Sequence, residues 1–372
     1  MKVEGRHFET IWLKPDNPSV VQVIDQRFLP FDFVIEDLAS EEDVFTAIRE
    51  MHVRGAPLIG AAAAFGIYLA LVQCRDKGYA DEWMEQKARL LKSARPTAVN
   101  LSFCVDRMVR AVAGAGGLTD KRDAALKEAL KIVDEERENC RKIGDFGVSL
   151  IEEASRHKKG RPVNILTHCN AGWLACIDYG TATAPVYKAH EKGIPVHVWV
   201  DETRPRNQGS KLTAWELHQN GVPYTLIADN TGGHLMQHGR VDMVLVGSDR
   251  TTVRGDVANK IGTYLKALAA HDNGVPFYAA LPSSSIDWSV EDGLTGIPIE
   301  ERGGEELLFS EVYAGGKWMK YPIALKESPV CNAGFDVTPA RLITALITER
   351  GICKAEKRSI FGLFPEKNIK SL

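Results

Sequence analysis

The stretch 241-VDMVLVGSDRTTVRGDVANKIGT-263 decides how this chain is read. Residues 241–246 form an apolar run broken only by Asp242, the pattern of a strand buried on both faces of a parallel sheet. The run stops at Gly247-Ser248-Asp249-Arg250, where charge and hydroxyl arrive together. Beyond a polar loop, Gly255 and Asp256 mark a predicted helix entry, with Val257, Ile261, Leu265 and Leu268 spaced along one face. Ligands and catalytic groups of open α/β sheets gather at the carboxyl ends of strands, and Asp249 falls there. Lys260 falls in the first turn of the predicted helix, where the helix dipole disfavours a cation. A bound anion at that helix start would account for it.

The same texture extends outward from this stretch. Residues 163–166, 194–200, 224–228 and 275–281 are further apolar runs, alternating with helical segments near 180–191, 210–220, 231–239 and 257–270. That alternation predicts an α/β fold, a Rossmann-like parallel sheet covered on both faces. Parallel strands would put all five polar tips on one rim: Thr167-His168-Cys169-Asn170, Asp201-Glu202-Thr203-Arg204-Pro205, Asp229-Asn230-Thr231-Gly232, Gly247-Ser248-Asp249-Arg250 and Pro282-Ser283-Ser284. Upstream, strand-like runs at 10–13 and 20–24 precede helical periodicity at 41–52, 81–93, 99–112 and 120–151, the last with a bend expected near Gly144. The uncharged segment 56–72 is slightly short for a membrane span and rich in Ala and Gly, so it reads as a tightly packed buried helix. The predicted organisation is a smaller helix-rich N-terminal domain with a small β-sheet (1–125), a connecting helix (126–155), the Rossmann-like domain (156–355) and a tail (356–372).

Composition narrows the function. With 26% charged residues and a net charge of -3, nothing points to nucleic acid. Seven cysteines without a CxxC pair read as free thiols of a reducing cytoplasm, and MKVEGRHFETIW carries no apolar secretory core. The glycines at 114–117 follow no strand, so they are not a dinucleotide fingerprint, and no GxGxxG follows any strand to support a nicotinamide oxidoreductase.

Candidate chemistry sits at the tips. Cys169 opens a small-residue loop and would act as nucleophile or proton acceptor; the alternative is an inert buried thiol. Asp249 follows an apolar run, so desolvation would let it hold a proton near neutrality; the alternative is a carboxylate paired with Arg250 or Arg254. Arg204, Arg206 and Gln208 suit a polyhydroxylated, phosphorylated ligand. Residues 255–260 combine backbone donors, the Asn259 amide and the Lys260 cation, a set that suits one phosphate group.

In this order, VRGAPLIG (53–60), RPTAVNL (95–101), THCNAG (167–172), DETRPRNQGSKLTAWEL (201–217), GDVANKIGTY (255–264), IPIEER (297–302) and FDVTPARL (335–342) resemble the methylthioribose-1-phosphate isomerase family. The resemblance implies the two-domain architecture above, a homodimer, and interconversion of an aldose 1-phosphate and a ketose 1-phosphate in methionine salvage, without metal or nucleotide cofactor. Matched position by position, Cys169 corresponds to the family's catalytic cysteine and Asp249 to its catalytic aspartate. Arg54, Gly55, Ala56, Arg95, Gln208, Asn259 and Lys260 correspond to its substrate-binding positions. Regulatory subunits of the translation-initiation nucleotide-exchange factor share this fold; the cysteine, the aspartate and the Asn-Lys pair favour the enzyme. Ser248, Thr251 to Arg254, Trp173 and Asp178 depart from the family pattern, which leaves the sugar's 5-substituent open between methylthio, deoxy and phospho. No second cluster of basic residues is evident along the chain, so the 5-phospho sugar is expected to be the poorest substrate.

Overall fold

The computed structural model describes residues 1–75, 78–95 and 99–371. A small hairpin, β1 (Lys2–Val3) and β2 (Arg6–His7), leads into an antiparallel meander of β3 (Ile11–Lys14), β4 (Asn17–Ile24) and β5 (Ile35–Leu38). Ser40 then caps α1 (Glu41–Arg49) in a reciprocal box with Asp43, which satisfies donors at both positions. The Ala-rich α2 (Ala56–Gln73) is apolar all round and buried, as such a helix must be in a protein core. It is long and apolar enough to cross a membrane, but here its surface is taken up by α1, α3 (Ala80–Lys92), α4 (Val99–Val112) and α5 (Leu118–Arg156).

The 39 residues of α5 extend about 58 Å at 1.5 Å per residue. Ala125, Ala129, Ile132 and Val133 join the helical core, whereas Ile143, Val148 and Ile151 join the core under the main sheet. One helix therefore lies in both cores.

The chain then alternates strand and helix: β6 (Val163–Thr167), α6 (Ala184–Glu191), β7 (Val196–Asp201), α7 (Ala214–Gln219), β8 (Tyr224–Ile227), α8 (Thr231–Gln237) and β9 (Met243–Val246). After β9 come β10 (Arg250–Thr252), β11 (Val257–Lys260), α9 (Thr263–Asp272), β12 (Phe277–Ala280) and β13 (Ile286–Asp287). The C-terminal elements are α10 (Gly293–Gly296), α11 (Glu305–Leu308), β14 (Phe309–Ala314), β15 (Lys317–Pro322), β16 (Phe335–Thr338), β17 (Ala345–Thr348), β18 (Gly351–Cys353) and α12 (Lys357–Leu363). All five predicted strands are present, and all are parallel. The main sheet runs β18-β17-β12-β9-β6-β7-β8, with β18 alone antiparallel. Successive strands step from β6 to β8 in one direction and from β9 to β17 in the other. The crevice outside the carboxyl ends of β6 and β9 is thus the topological switch point, where such sheets bind ligands.

One prediction fails. Residues 257–262 are not helical: β11 pairs antiparallel with β10 and β16 in a separate four-stranded sheet, β13-β10-β11-β16. Gly262, at φ +101, turns the chain into α9 two residues after Lys260. Leu265, assigned to the buried face, is 63% exposed. The apparent helical spacing joined a buried strand to a helix that begins six residues later.

Glu136 on α5 is fully buried, its Oε1 accepts from the Ser284 hydroxyl at 2.7 Å, and its Oε2 has no hydrogen-bond partner among the described residues. Burial pushes its carboxyl up to about 7. The folded chain then holds a proton that the unfolded chain releases near 4.5, so this group's contribution to stability falls as pH rises from about 4.5 to about 7. Glu136→Gln is expected to flatten the curve by on the order of 2–3 kcal/mol. Parallel wild-type and variant profiles of unfolding free energy between pH 4.5 and 8 would exclude this.

Candidate active site

Cys169 stands just past β6 with φ +64, and its neighbours hold it in that left-handed conformation. Its N–H donates to Thr203 Oγ1 at 2.9 Å, and its carbonyl accepts from Thr213 Oγ1 at 2.6 Å. Thr203 in turn donates to Asp201, at the end of the neighbouring β7. The Asp201 carboxylate also meets His168 Nδ1 and Lys266 Nζ, each at 2.8 Å, while His168 Nε2 lies 2.8 Å from the Ile261 carbonyl. Burial raises the Asp201 carboxyl, but its contacts with His168 and Lys266 hold it below the usual range. The cysteine's position is fixed by a buried charge cluster one strand away.

Asp249 stands past β9, across the crevice, and its N–H donates to the Ala258 carbonyl at 3.0 Å. Arg250 pairs with Asp287 and Arg254 with Glu291, so neither takes the Asp249 carboxyl. Among the described residues that carboxyl has no hydrogen-bonding partner. Burial raises it above the ordinary carboxylate range, and Lys260, Arg54 and Arg95 pull against the rise. Burial likewise pushes the Cys169 thiol up, opposed by Arg54 and Lys260, and pulls the Lys260 ammonium down, opposed by Cys169 and Asp249. The Cys169 thiol lies 3.2 Å from Gln208 Oε1, to which it can donate.

A cavity of about 30 Å³ is bordered by Arg54, Gly55, Ala56, Cys169, Asp249 and Asn259. Gly55, at φ +95, precedes α2, and a side chain there would lie 2.4 Å from the Ala175 carbonyl oxygen. Only glycine permits this approach. Lys260 and Arg95 lie within electrostatic reach: Lys260 Nζ donates to the Gly334 carbonyl at 2.9 Å, and Arg95 Nε pairs with Glu300 at 3.2 Å. The sequence candidates therefore converge.

The helix start expected at Lys260 is absent. That residue lies in a strand, and the true α9 N-terminus is already capped by the Asp336 carboxylate, which accepts from the Gly262 and Tyr264 N–H groups at 2.7 and 3.1 Å. The helix N-terminus that borders the cavity belongs to α2, through Gly55 and Ala56. Arg204 and Arg206 both meet Glu306, at its carbonyl and its carboxylate respectively. Two clusters have the composition of metal sites, Asp25/Glu36/His52 and His168/Asp201/Asp229. In both, the groups are engaged within the protein: Asp25 with Arg27, Glu36 with His52, and Asp229 with the N–H groups of Thr203 and Arg204.

Comparison with known proteins decides the family. The Initiation factor 2 subunit family matches residues 52–355. A protein named methylthioribose-1-phosphate isomerase from Desulfatibacillum aliphaticivorans is 55% identical over 367 residues, covering 99% of this chain and 100% of that one. The chain belongs to the methylthioribose-1-phosphate isomerase family.

It is an isomerase. The structure of 5-methylthioribose 1-phosphate isomerase from Pyrococcus horikoshii OT3 is 39% identical, covers 97% of each chain and superposes with a TM-score of 0.82. A structure titled translation initiation factor eIF-2B, subunit delta, from A. fulgidus is 37% identical over 96% of this chain and 100% of that one, with a TM-score of 0.79.

Within this family member, three groups around the site were not singled out from the sequence. Glu216 lies at zero exposure, and its carboxylate gathers the Asn170 amide and the Trp173 and Leu174 N–H groups; burial raises it to about 7. Asn170 passes this order on, accepting from Arg54 at 2.5 and 2.6 Å. Glu300 balances Arg95. A signal existed for Glu216, a lone carboxylate in the apolar run LTAWEL. Ser248 and Thr251 form a hydroxyl pair at 2.8 Å.

Proposed function

We propose that this protein converts 5-methylthioribose 1-phosphate to 5-methylthioribulose 1-phosphate, as a cytoplasmic homodimer of methionine salvage. The observation that carries the reading is the pair of strand tips at the switch point, a carboxyl raised by burial, without a hydrogen-bond partner among the described residues, across from a buried thiol, with Lys260, Arg54 and Arg95 around them.

The phosphate on C1 prevents spontaneous ring opening, so the free aldehyde that ordinary aldose isomerases use is absent. Asp249 gives its proton to the ring oxygen as the bond from C1 to that oxygen breaks. Hydrogen then leaves C2 and arrives at C1, and the C2 hydroxyl loses its proton as the ketone forms. In one route the thiolate form of Cys169, favoured by Arg54 and Lys260 against the burial that opposes it, takes the C2 proton, an enediol-type phosphate forms, and the resulting thiol returns the proton to C1. In the other a hydride passes directly from C2 to C1 and Cys169 stabilises the transition state. The cations and the α2 N-terminus hold the phosphate in either route.

The likeness to the A. fulgidus protein named as translation initiation factor eIF-2B, subunit delta, favours a second reading, a regulatory subunit that acts through its surfaces. Titration with the sugar 1-phosphate separates the two. The enzyme at ~100 times its dissociation constant gains ~2.7 kcal/mol of stability and forms ketose. A chain that shows neither effect is not this isomerase.

A further inference from the structure

We propose that Glu300 is a positioning residue for the reaction: its carboxylate holds Arg95 in register with Lys260 and lends a negative charge to the site of the acid Asp249. This rests on the isomerase reading above.

Glu300 lies ahead of α11, far from Arg95 in sequence. Its Oε2 accepts from Arg95 Nε at 3.2 Å and its Oε1 from Arg302 Nη1 at 2.6 Å, so the carboxylate is held from both sides. Nε is only one of the N–H donors of a guanidinium, and an incoming anion can engage Arg95 without displacing Glu300. The backbone of the same residue leads to the other cation. The Gly334 N–H donates to the Glu300 carbonyl at 2.8 Å, and the Gly334 carbonyl accepts from Lys260 Nζ at 2.9 Å. An antiparallel bridge between Glu301 and Ala333, and the Arg302 N–H on the Asn332 carbonyl at 2.9 Å, lock the two segments together. Residue 300 therefore fixes the spacing of Arg95 and Lys260.

Its charge answers a conflict in the site. Cations gathered for a phosphate also pull the proton off an acid among them. Asp249 faces Lys260 on β11, Arg54 ahead of α2, Arg95 beyond α3, Cys169 beyond β6 and Glu300. Burial favours its protonated form, the three cations oppose that, and the Glu300 carboxylate sides with burial. For Arg95 the balance is complementary: burial disfavours its charge, and Glu300 is the strongest influence that supports it. One carboxylate thus keeps a buried cation charged and a buried acid protonated.

The test is the pH dependence of kcat/KM for 5-methylthioribose 1-phosphate, which reports the free enzyme. It is measured on wild type, Asp249→Asn, Glu300→Gln, Glu300→Asp and Arg302→Gln. Wild type is expected to lose activity on the alkaline side as Asp249 ionises, and Asp249→Asn to lack that limb. Glu300→Gln removes the charge at nearly the same size, so the limb should move to lower pH. Glu300→Asp keeps the charge and withdraws it by one methylene. Its limb should stay near the wild-type position while KM rises about tenfold from the lost contact with Arg95. Arg302→Gln removes a positive charge from the other side of Glu300 and should move the limb to higher pH. A purely structural role would lower kcat/KM alike at every pH. A limb unmoved in folded Glu300→Gln overturns the proposal alone, as does one unmoved in Arg302→Gln should the Glu300 variants fail to fold. Wild type that forms no ketose overturns the reaction, and this role with it.

Discussion

Asp249→Asn is expected to fold normally and lose about 10²–10⁴-fold in turnover, the usual contribution of a positioned acid or base. The amide preserves shape but cannot deliver a proton to the ring oxygen. No structural partner of the carboxyl is lost, since among the described residues it has none, so stability should change little. The pH profile carries the same prediction. Burial raises this carboxyl, so activity should fall on the alkaline side as the proton leaves, and that limb should vanish in the variant's residual rate. Cys169→Ser is the parallel case, with a similar loss on the hydrogen-transfer step. Its thiol sits 7% exposed against Gln208, a contact that serine can keep. Near-wild-type kcat in either variant, with an unchanged melting temperature, would remove that residue from the mechanism.

Glu216→Ala is expected to be the most destabilising single change near the site, by about 3–5 kcal/mol. Its Oε1 accepts from Asn170 Nδ2 and Leu174 N at 2.9 and 2.8 Å, and its Oε2 from Trp173 N and Tyr187 Oη at 3.1 and 3.2 Å. Truncation leaves these donors buried and unpaired, at about 1–3 kcal/mol each before relaxation. Glu216→Gln keeps the volume and one acceptor, so it should fall between. Since Asn170 also orients Arg54, the milder variant should raise KM more than it lowers kcat. Urea unfolding that places Glu216→Ala within 1 kcal/mol of wild type would show that the network is not needed for folding.

The parallel sheet could be read from the sequence because each strand is a self-contained apolar run ending in polar residues. Cys169 and Asp249 could be placed at strand tips for the same reason, before anything was known of their surroundings. The second sheet could not be read. Val257 to Lys260 pair with β10 and β16, and partners such as Asp336 lie more than seventy residues away in sequence. Lys260 was therefore judged by its neighbours in sequence and assigned to the wrong element. Arg54 and Gly55 entered only through the family resemblance, and the fold brings them to the crevice with the α2 N-terminus. The larger cavity beside Arg54 could not be read from the sequence, because its walls come from residues 28, 51, 212 and 318. Arg27, Arg206 and Lys211 likewise do not form a cluster when read along the chain.

The long helix α5 bears on how such a scattered site stays in register. Arg54 and Gly55 stand on the helical layer, Cys169 and Asp249 on the sheet. A stiff rod seated in both acts as a shared chassis, so shear between the layers would have to bend a helix of about eleven turns or strip one of its faces bare. The catalytic spacing is thereby set mechanically, and compliance is left to the periphery, where the β14–β15 hairpin touches the rest through rings and surface ion pairs.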